Sequence, residues 1–415
     1  MQDLLEICCG LDIHKESIVA CLLTGATDVK PTSEIRTFST MAPGLLELKS
    51  WLHEYGCRHV AMESTGIYWV PVYETLEDES FPMHLLVVNA RHMKNVPGKK
   101  TDMRDSEWIA TLLRAGLLRS SFIPEKRIRE LRHLTRYRKS IVHDVTAQKN
   151  RIEKFLQGAG FRLSVFLSDT FGASGRNVMR HLIAWGSVDL QGLDRCLKTQ
   201  TRRKIDDILV SVNGTMSAHQ QQFLAMTLDH LEMLEAHLHQ IEQAIGQETQ
   251  KFEAAMNILT SIPGIHTTAA ASLLAEIGTD MCCFPTSEHL SSWAGMSPGN
   301  NESAGKRKSA STNHGNPYVK SMLCEIAWVV AGKRKTYLSK WYWKLKQRKG
   351  AKKAIIALGR KLLVMIYAML KHGTFYDEDC FEQRRKQLEN KRVSRMISEL
   401  HRLGYQLSFP ASAAQ

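Results

Sequence analysis

Four carboxylates fall within the first 105 residues, in contexts that could do chemistry: Asp12 in GLDIHKES, Glu63 in VAMESTG, and Asp102 with Asp105 in KKTDMRDSEW. Asp12 and Glu63 sit at or near the ends of apolar β-rich runs, where an α/β sheet places its ligands. Acidic groups kept at such places in a basic chain are suited to holding a cation. A hard ion with oxygen ligands, Mg²⁺, fits a carboxylate set and acts on phosphates. Asp102 and Asp105 are three apart, so at a helix start they face one side. The same pair also suits N-capping and dipole stabilisation of the helix that continues DSEWIATLLRAG, and both roles are compatible. An acidic site in a basic chain points to phosphodiester chemistry on nucleic acid.

A second candidate lies in the loop PGNNESAGKRKSASTNHGNPYVK, where Ser303 is followed closely by Lys306, Arg307 and Lys308. A serine nucleophile for phosphoryl transfer needs an open setting and nearby cations to offset phosphate charge. The loop offers both. It also reads as a solvated Gly/Ser-rich linker that only touches phosphate, and spacing does not choose between Ser303, Ser309 and Ser311.

These residues must be positioned by a chain of 415 residues, long enough for two or three domains. Lys plus Arg number 55 against 42 Asp plus Glu, a net charge of +13, which fits a polyanionic partner. Between Glu302 and Lys361 there are 16 Lys/Arg against two acids, which makes that block the expected phosphate-contact surface. The nine cysteines are scattered without a CxxC pair, which excludes a zinc ribbon or thioredoxin motif and suits buried thiols in a reducing cytosol. With neither a signal-peptide layout at the N-terminus nor an apolar run long enough for a bilayer, the expected location is cytoplasmic, with no membrane partner.

The order of elements is legible from periodicity. Residues 4–24 hold two apolar strands around a polar turn, and a third run covers 34–39. A helical stretch (45–55), a buried strand (59–65), a helix containing Pro71 and a strand (83–89) follow. Three strands, helix, strand, helix, strand is the order of a ribonuclease H-like α/β domain. Residues 125–157 read as a long helix with Leu131, Leu134, Ile141, Val145, Ile152 and Phe155 on one stripe. From about Ser217 to Lys251, Leu224, Leu231, Leu238 and Ile245 recur every seven residues, with Leu234 and Ile241 on the second seam. That is a coiled-coil signature, open to pairing within the chain or with a second subunit. Residues 258–278, ILTSIPGIHTTAAASLLAEIG, resemble a helix-hairpin-helix with His266 in place of the usual second glycine, and read equally as an ordinary helical hairpin. The expected fold is therefore α/β plus all-α. Its parts are a ribonuclease H-like domain at 1–124, a coiled-coil insert at 125–252, a helical domain with the serine loop at 253–371, and a C-terminal helix with a frayed tail at 372–415.

GLDIHK, MESTG and KTDMRDSEWIA, followed much later by IPGI, AEIG, WAGMSPGNNESAGKRKS and HGNPYVKSML, closely resemble insertion sequence 110 family transposases of the 1111-type branch. The resemblance spans the RuvC-like N-terminal domain and the C-terminal transposase domain. It implies an Asp-Glu-Asp-Asp tetrad at Asp12, Glu63, Asp102 and Asp105 that binds Mg²⁺, and a catalytic serine at Ser303 that joins DNA covalently. It further implies donor and target DNA as substrates and a structured guide RNA. The phosphate contacts would be Arg91, Lys94, Lys99, Lys100, Lys306, Arg307 and Lys308. A homodimer through the coiled coil, a tetramer in synapsis and a composite site between subunits complete the expectation. Three alternatives stay open: a DNA invertase with the same chemistry, a metal-dependent junction-resolving nuclease in which Ser303 is structural, and a non-catalytic nucleic-acid-binding protein. An actin-like sugar kinase is set aside, because IHKES follows Asp12 where a Gly-rich phosphate turn is required.

Overall fold

The computed structural model describes residues 3–64, 66–89, 105–299, 301–303, 306–309, 312 and 314–404, with backbone alone for 301–303, 306–309, 381, 382, 384, 385 and 388. The chain forms two compact units, Met1–Ile123 and Pro124–Gln415. Among the described residues no helix is long and apolar enough to cross a membrane.

The first unit is built on a five-stranded sheet. In chain order it contains β1 (Ile7–Ile13), β2 (Ser17–Thr24), β3 (Thr32–Ser39), α1 (Ala42–Glu54), β4 (His59–Glu63), α2 (Trp69–Leu76), β5 (His84–Val88) and α3 (Asp105–Arg114). The sheet order is β3-β2-β1-β4-β5. The first three strands form an antiparallel meander, and β4 and β5 add parallel to β1. Short polar turns suffice for the meander, whereas each parallel addition needs a crossover, which α1 and α2 supply. Alternation along the strands divides the core between two faces. Cys9, Leu11, Ile13 and Met62 pack under Leu48, Trp51 and Leu76 on one side. Cys8, Ala61 and Val88 pack under Ile109, Ala110 and Leu113 of α3 on the other.

Helix α3 lies unusually close to the sheet. A methyl group at Gly10 would overlap the Ser106 carbonyl oxygen and the Ala110 backbone nitrogen. Glycine on β1 and small residues one turn apart on α3 let backbone meet backbone. The far end of α3 is fixed by Arg114, whose side chain is 1% exposed and pairs with Asp3 at 2.6 Å. The same guanidinium donates to the carbonyls of Glu6, Gly25 and Ala26, so its buried charge is paired and hydrogen-bonded.

Burial also decides thiol chemistry here. It pushes the Cys8 and Cys57 thiols up to about 12, and raises Cys9 well above its ordinary value. A thiol held protonated and out of solvent is a poor nucleophile. Brief alkylation of the native protein near neutral pH should therefore label the exposed Cys282 and Cys380 first. Peptide mass spectrometry should find Cys8, Cys9 and Cys57 unmodified until denaturant is added; early labelling there would contradict the packing of the sheet.

Among the described residues the second unit is helical except for one hairpin. Its long helices, α4 (Lys126–Gly158) and α9 (Ala218–Gln250), pack against each other within the chain. They run antiparallel: Gln148 Nε2 donates to Thr227 O at 2.9 Å, Arg138 pairs with Glu242, and Phe155 meets Phe223 at 4.7 Å. Ser217 opens α9 with a reciprocal capping box to Gln220. The buried stripe of α9 includes Leu224, Leu231, Leu234, Ile241 and Ile245, but Leu238 is only half-buried and Leu228, off the heptad series, is buried. Between them lie four short helices, α5 (Ala173–Trp185), α6 (Leu190–Cys196), α7 (Thr199–Arg202) and α8 (Ile205–Ser211).

The chain then forms α10 (Glu253–Thr260), α11 (Thr267–Ile277), α12 (Ser287–Trp293), a two-stranded hairpin of β6 (Asn301–Ser303) and β7 (Lys306–Ser309), α13 (Pro317–Gly332), α14 (Tyr337–Lys349), α15 (Ala351–His372) and α16 (Glu378–Arg402). The turn between α10 and α11 contains Gly264 at φ +101, and its glycine lies against Val329 and Val330 of α13. Where the sequence reads as a Gly/Ser-rich loop, the backbone instead pairs as a hairpin.

Candidate functional site

Asp12 and Glu63 are brought together by strand register. Leu11 pairs with Met62 across the parallel β1–β4 ladder, so Asp12 and Glu63 occupy the next position, side by side on neighbouring strands. Adjacent strands are about 4.8 Å apart. Cys8 and Ala61 face α3, and alternation therefore turns Asp12 and Glu63 to the same side. Asp105 is the first residue of α3, next to Ser106, which rests on Gly10 two residues before Asp12. Asp12 and Glu63, from separate parts of the sequence, thus share one face and one end of the sheet, and α3 starts on that face with Asp105 exposed. Asp12 is half-buried, with its side chain 20% exposed, and its Oδ2 lies 3.3 Å from His14 Nε2. His14 carries no assigned role in the sequence reading; its place just past the end of β1 is what sets it beside Asp12.

Asp102 lies outside the described residues, as do Arg91, Lys94, Lys99 and Lys100. Among the described residues, no group of three or more His, Cys, Asp or Glu side chains is close enough to hold a metal ion. The donor chemistry nevertheless suits a hard cation: Asp12 and Glu63 offer carboxylate oxygens on this face, with the His14 imidazole beside Asp12.

Ser303 ends β6 and pairs with Lys306, the first residue of β7, while Glu302 pairs with Arg307. Ser303 therefore stands at the tip of the hairpin, in a ladder whose facing strand is Lys306–Ser309. The hairpin is anchored at its root. Pro298 bridges to Thr312, Asn316 N donates to Trp293 O at 3.0 Å, and the Lys320 ammonium donates to Thr312 Oγ1 at 2.7 Å.

The basic block beyond the hairpin is interleaved with aromatic rings. Lys346 lies 4.2 Å and Arg334 5.2 Å from the Trp343 ring, and Lys361 lies 5.0 Å from Trp341. Trp328 and Trp343 are exposed. Cations beside exposed rings can meet both the phosphates and the bases of a nucleic acid.

Comparison with known proteins supports the same reading. Residues 9–161 match the transposase family model for the DEDD domain of IS110 elements, and residues 256–344 match the model described as Transposase IS116/IS110/IS902 family. The chain is 24% identical over 307 residues to an uncharacterized 43.6 kDa protein of insertion element IS110 from Streptomyces coelicolor, covering 68% of this chain and 73% of the relative. It is 31% identical over 147 residues to the pilin gene-inverting protein of Moraxella bovis, covering 35% of this chain and 45% of that protein. A probable family 20 transposase of Pseudomonas aeruginosa is 24% identical over 183 residues, spanning 43% of this chain and 54% of its own length. The carboxylate-bearing segment and the serine-bearing segment each match their own model of one family, in the family's order, and the chain belongs to the IS110 family of transposases.

Proposed function

We propose that this protein is a DNA recombinase that cuts and rejoins strands through a covalent serine intermediate, with Asp12, Glu63, Asp102 and Asp105 as a Mg²⁺-binding set. The observation that carries this is the side-by-side placement of Asp12 and Glu63 on the face where α3 brings Asp105. A divalent cation bound there supplies charge neutralisation to the scissile phosphate and to its attacking and leaving oxygens. The strands hold Asp12 and Glu63 in fixed register, and close packing of α3 on Gly10 fixes the start of that helix, from which Asp105 would reach toward the same cation. Ser303 Oγ attacks phosphorus and loses its proton. The bond from phosphorus to one sugar oxygen breaks, and that oxygen takes up a proton. The product is a phosphoserine ester, and attack on it by the hydroxyl of another strand restores a phosphodiester and frees Ser303. Because one ester replaces another, the exchange needs no ATP.

Lys306, Arg307 and Lys308 flank Ser303 as phosphate contacts, with Arg91, Lys94, Lys99 and Lys100 serving the carboxylate domain. A structured guide RNA would select sites by base pairing, leaving the protein to grip backbone and shape. Since α4 covers the apolar stripe of α9 within the chain, a homodimer built on these helices, and a tetramer in synapsis, would use their remaining faces. Site inversion is the second reading, favoured by the match to the pilin gene-inverting protein; its chemistry is the same and only the arrangement of the DNA sites differs.

The test is to incubate the full chain and Mg²⁺ with a plasmid carrying the gene and its flanking DNA, transcribed so that any encoded RNA is present, and then to denature. Wild type should give a denaturation-resistant protein–DNA adduct and Ser303→Ala none. Cleavage by Ser303→Ala without an adduct would instead establish a metal-dependent nuclease with a structural serine.

A further inference from the structure

Glu276, near the end of α11, is 3% exposed and yet surrounded by donors. Arg136 of α4 approaches it as a fork, with Nε to Oε1 at 2.7 Å and Nη2 to Oε2 at 2.9 Å. Asn316 Nδ2 donates to Glu276 Oε2 at 2.6 Å. Arg132, one turn earlier on α4, donates to the carbonyls of Ala275 and Glu276 at 2.9 and 2.8 Å, closing the C-terminal end of α11. Burial pulls the Arg132 guanidinium down to about 10 against the opposing pull of Glu276. For Arg136 burial acts downward too, but its bonds to Glu276 and that carboxylate's charge outweigh it and raise the group. The carboxylate is therefore the counter-ion of two arginines from one helix and, at the same time, the acceptor for Asn316.

Asn316 is the last residue of the segment that carries Ser303. Its Oδ1 caps α13 by accepting from Tyr318 N and Val319 N, which leaves its amide nitrogen for Glu276. Beside it, Gly315 lies directly on the backbone of Ala294 and Gly295, with no room for a Cβ. One amide side chain thus connects three elements: the root of the serine hairpin, the start of α13 and, through Glu276, the long helix α4. A carboxylate needed only to neutralise Arg136 would not also require an asparagine at the hairpin root.

We propose that Glu276 is a positioning residue for the serine hairpin, holding its root to α4 through Asn316 so that hairpin and long helix move as one body. This rests on the reading of Ser303 as nucleophile. A displacement of about 1 Å in a reacting group can cost on the order of 100-fold in rate. Loss of the clamp should therefore appear in the chemical step and leave DNA affinity alone.

Asn316→Ser is the main variant, because serine still caps α13 but is too short to reach Glu276. Glu276→Gln is the second, retaining an acceptor for Asn316 while removing the counter-charge. In Asn316→Ser the amides of 301–312 should exchange hydrogen about 10-fold faster than in wild type while those of α4 and α9 are unchanged. With the plasmid probe, the first-order rate of adduct formation at saturating DNA should fall about 10- to 100-fold with the DNA dissociation constant unchanged. Glu276→Gln should give a smaller loss in both measurements. Wild-type exchange at the hairpin, or a wild-type rate in Asn316→Ser, overturns the clamp. Should Ser303→Ala also form the adduct, the nucleophile is misassigned, and the exchange measurement still decides whether the clamp exists.

Discussion

Asp12→Asn is expected to lower strand cleavage and adduct formation by roughly 10³-fold, the scale on which a single preorganised electrostatic group acts on a transition state. The substitution preserves shape and changes charge. The Asp12 side chain is partly exposed and its imidazole neighbour, His14, is mostly exposed, so little folding free energy rests on the carboxylate. Stability should remain within about 1 kcal/mol of wild type, since an isosteric change at a half-buried side chain leaves neither a cavity nor a buried unpaired charge. Glu63→Gln should behave in the same way, since the two residues stand at one register position on adjacent strands. Chelation of divalent metal from wild type should reproduce the loss. The decisive comparison is calorimetric: titration of Mn²⁺ or Mg²⁺ into wild type should release heat that Asp12→Asn lacks. Unchanged metal binding together with unchanged cleavage in Asp12→Asn would remove the carboxylates from the reaction altogether.

The strands that carry Asp12 and Glu63 were readable in the sequence because apolar runs mark them. In GLDIHKES and VAMESTG an acid stands at the end of an apolar run, and such runs mark the strand, while the shared face emerges only from the pairing of β1 with β4. The order of strands and helices along the chain was readable from the apolar runs and the helical spacing between them. The hairpin of β6 and β7 was not readable. NES and KRKS hold no apolar alternation, so the pairing has no local signature and depends on a root made of residues far apart in the chain. Helix α14 was hidden for a related reason. In YLSKWYWKLKQRK the buried positions reduce to Leu338, Ser339 and Tyr342, and the cations dominate the pattern. The clamp at Glu276 lies beyond any local reading, since Arg136 and Asn316 are separated from it by 140 and 40 residues. Heptad spacing predicted a seam on α9 but carried no information on its partner, because an intramolecular and an intermolecular helix would present the same stripe.

Gly10→Ala is expected to be the most damaging small change in the first unit, costing about 3 kcal/mol or more. The added methyl would meet the Ser106 carbonyl and the Ala110 backbone nitrogen, groups of the helix backbone that no rotamer change can move aside. Relief requires α3 to lift from the sheet. The lift would weaken the packing of Ile109 and Leu113 against Cys8, Ala61 and Val88, and it would carry Asp105 away from Asp12 and Glu63. Stability and chemistry should therefore fall together, which by itself does not separate a positional effect from partial unfolding. Leu113→Ala provides the separation. It removes a buried side chain from the same helix and should cost a similar 2–5 kcal/mol, but it leaves a cavity in place of an obstruction. The Leu113 cavity lies two turns beyond Asp105, so the helix start can remain seated on Gly10. Measured at a temperature where melting curves show both variants folded, Leu113→Ala should retain most of the wild-type cleavage rate and Gly10→Ala should lose at least about 10-fold. Equal losses at equal stability would mean that α3 contributes only to folding, and that its approach to β1 has no part in setting the carboxylates.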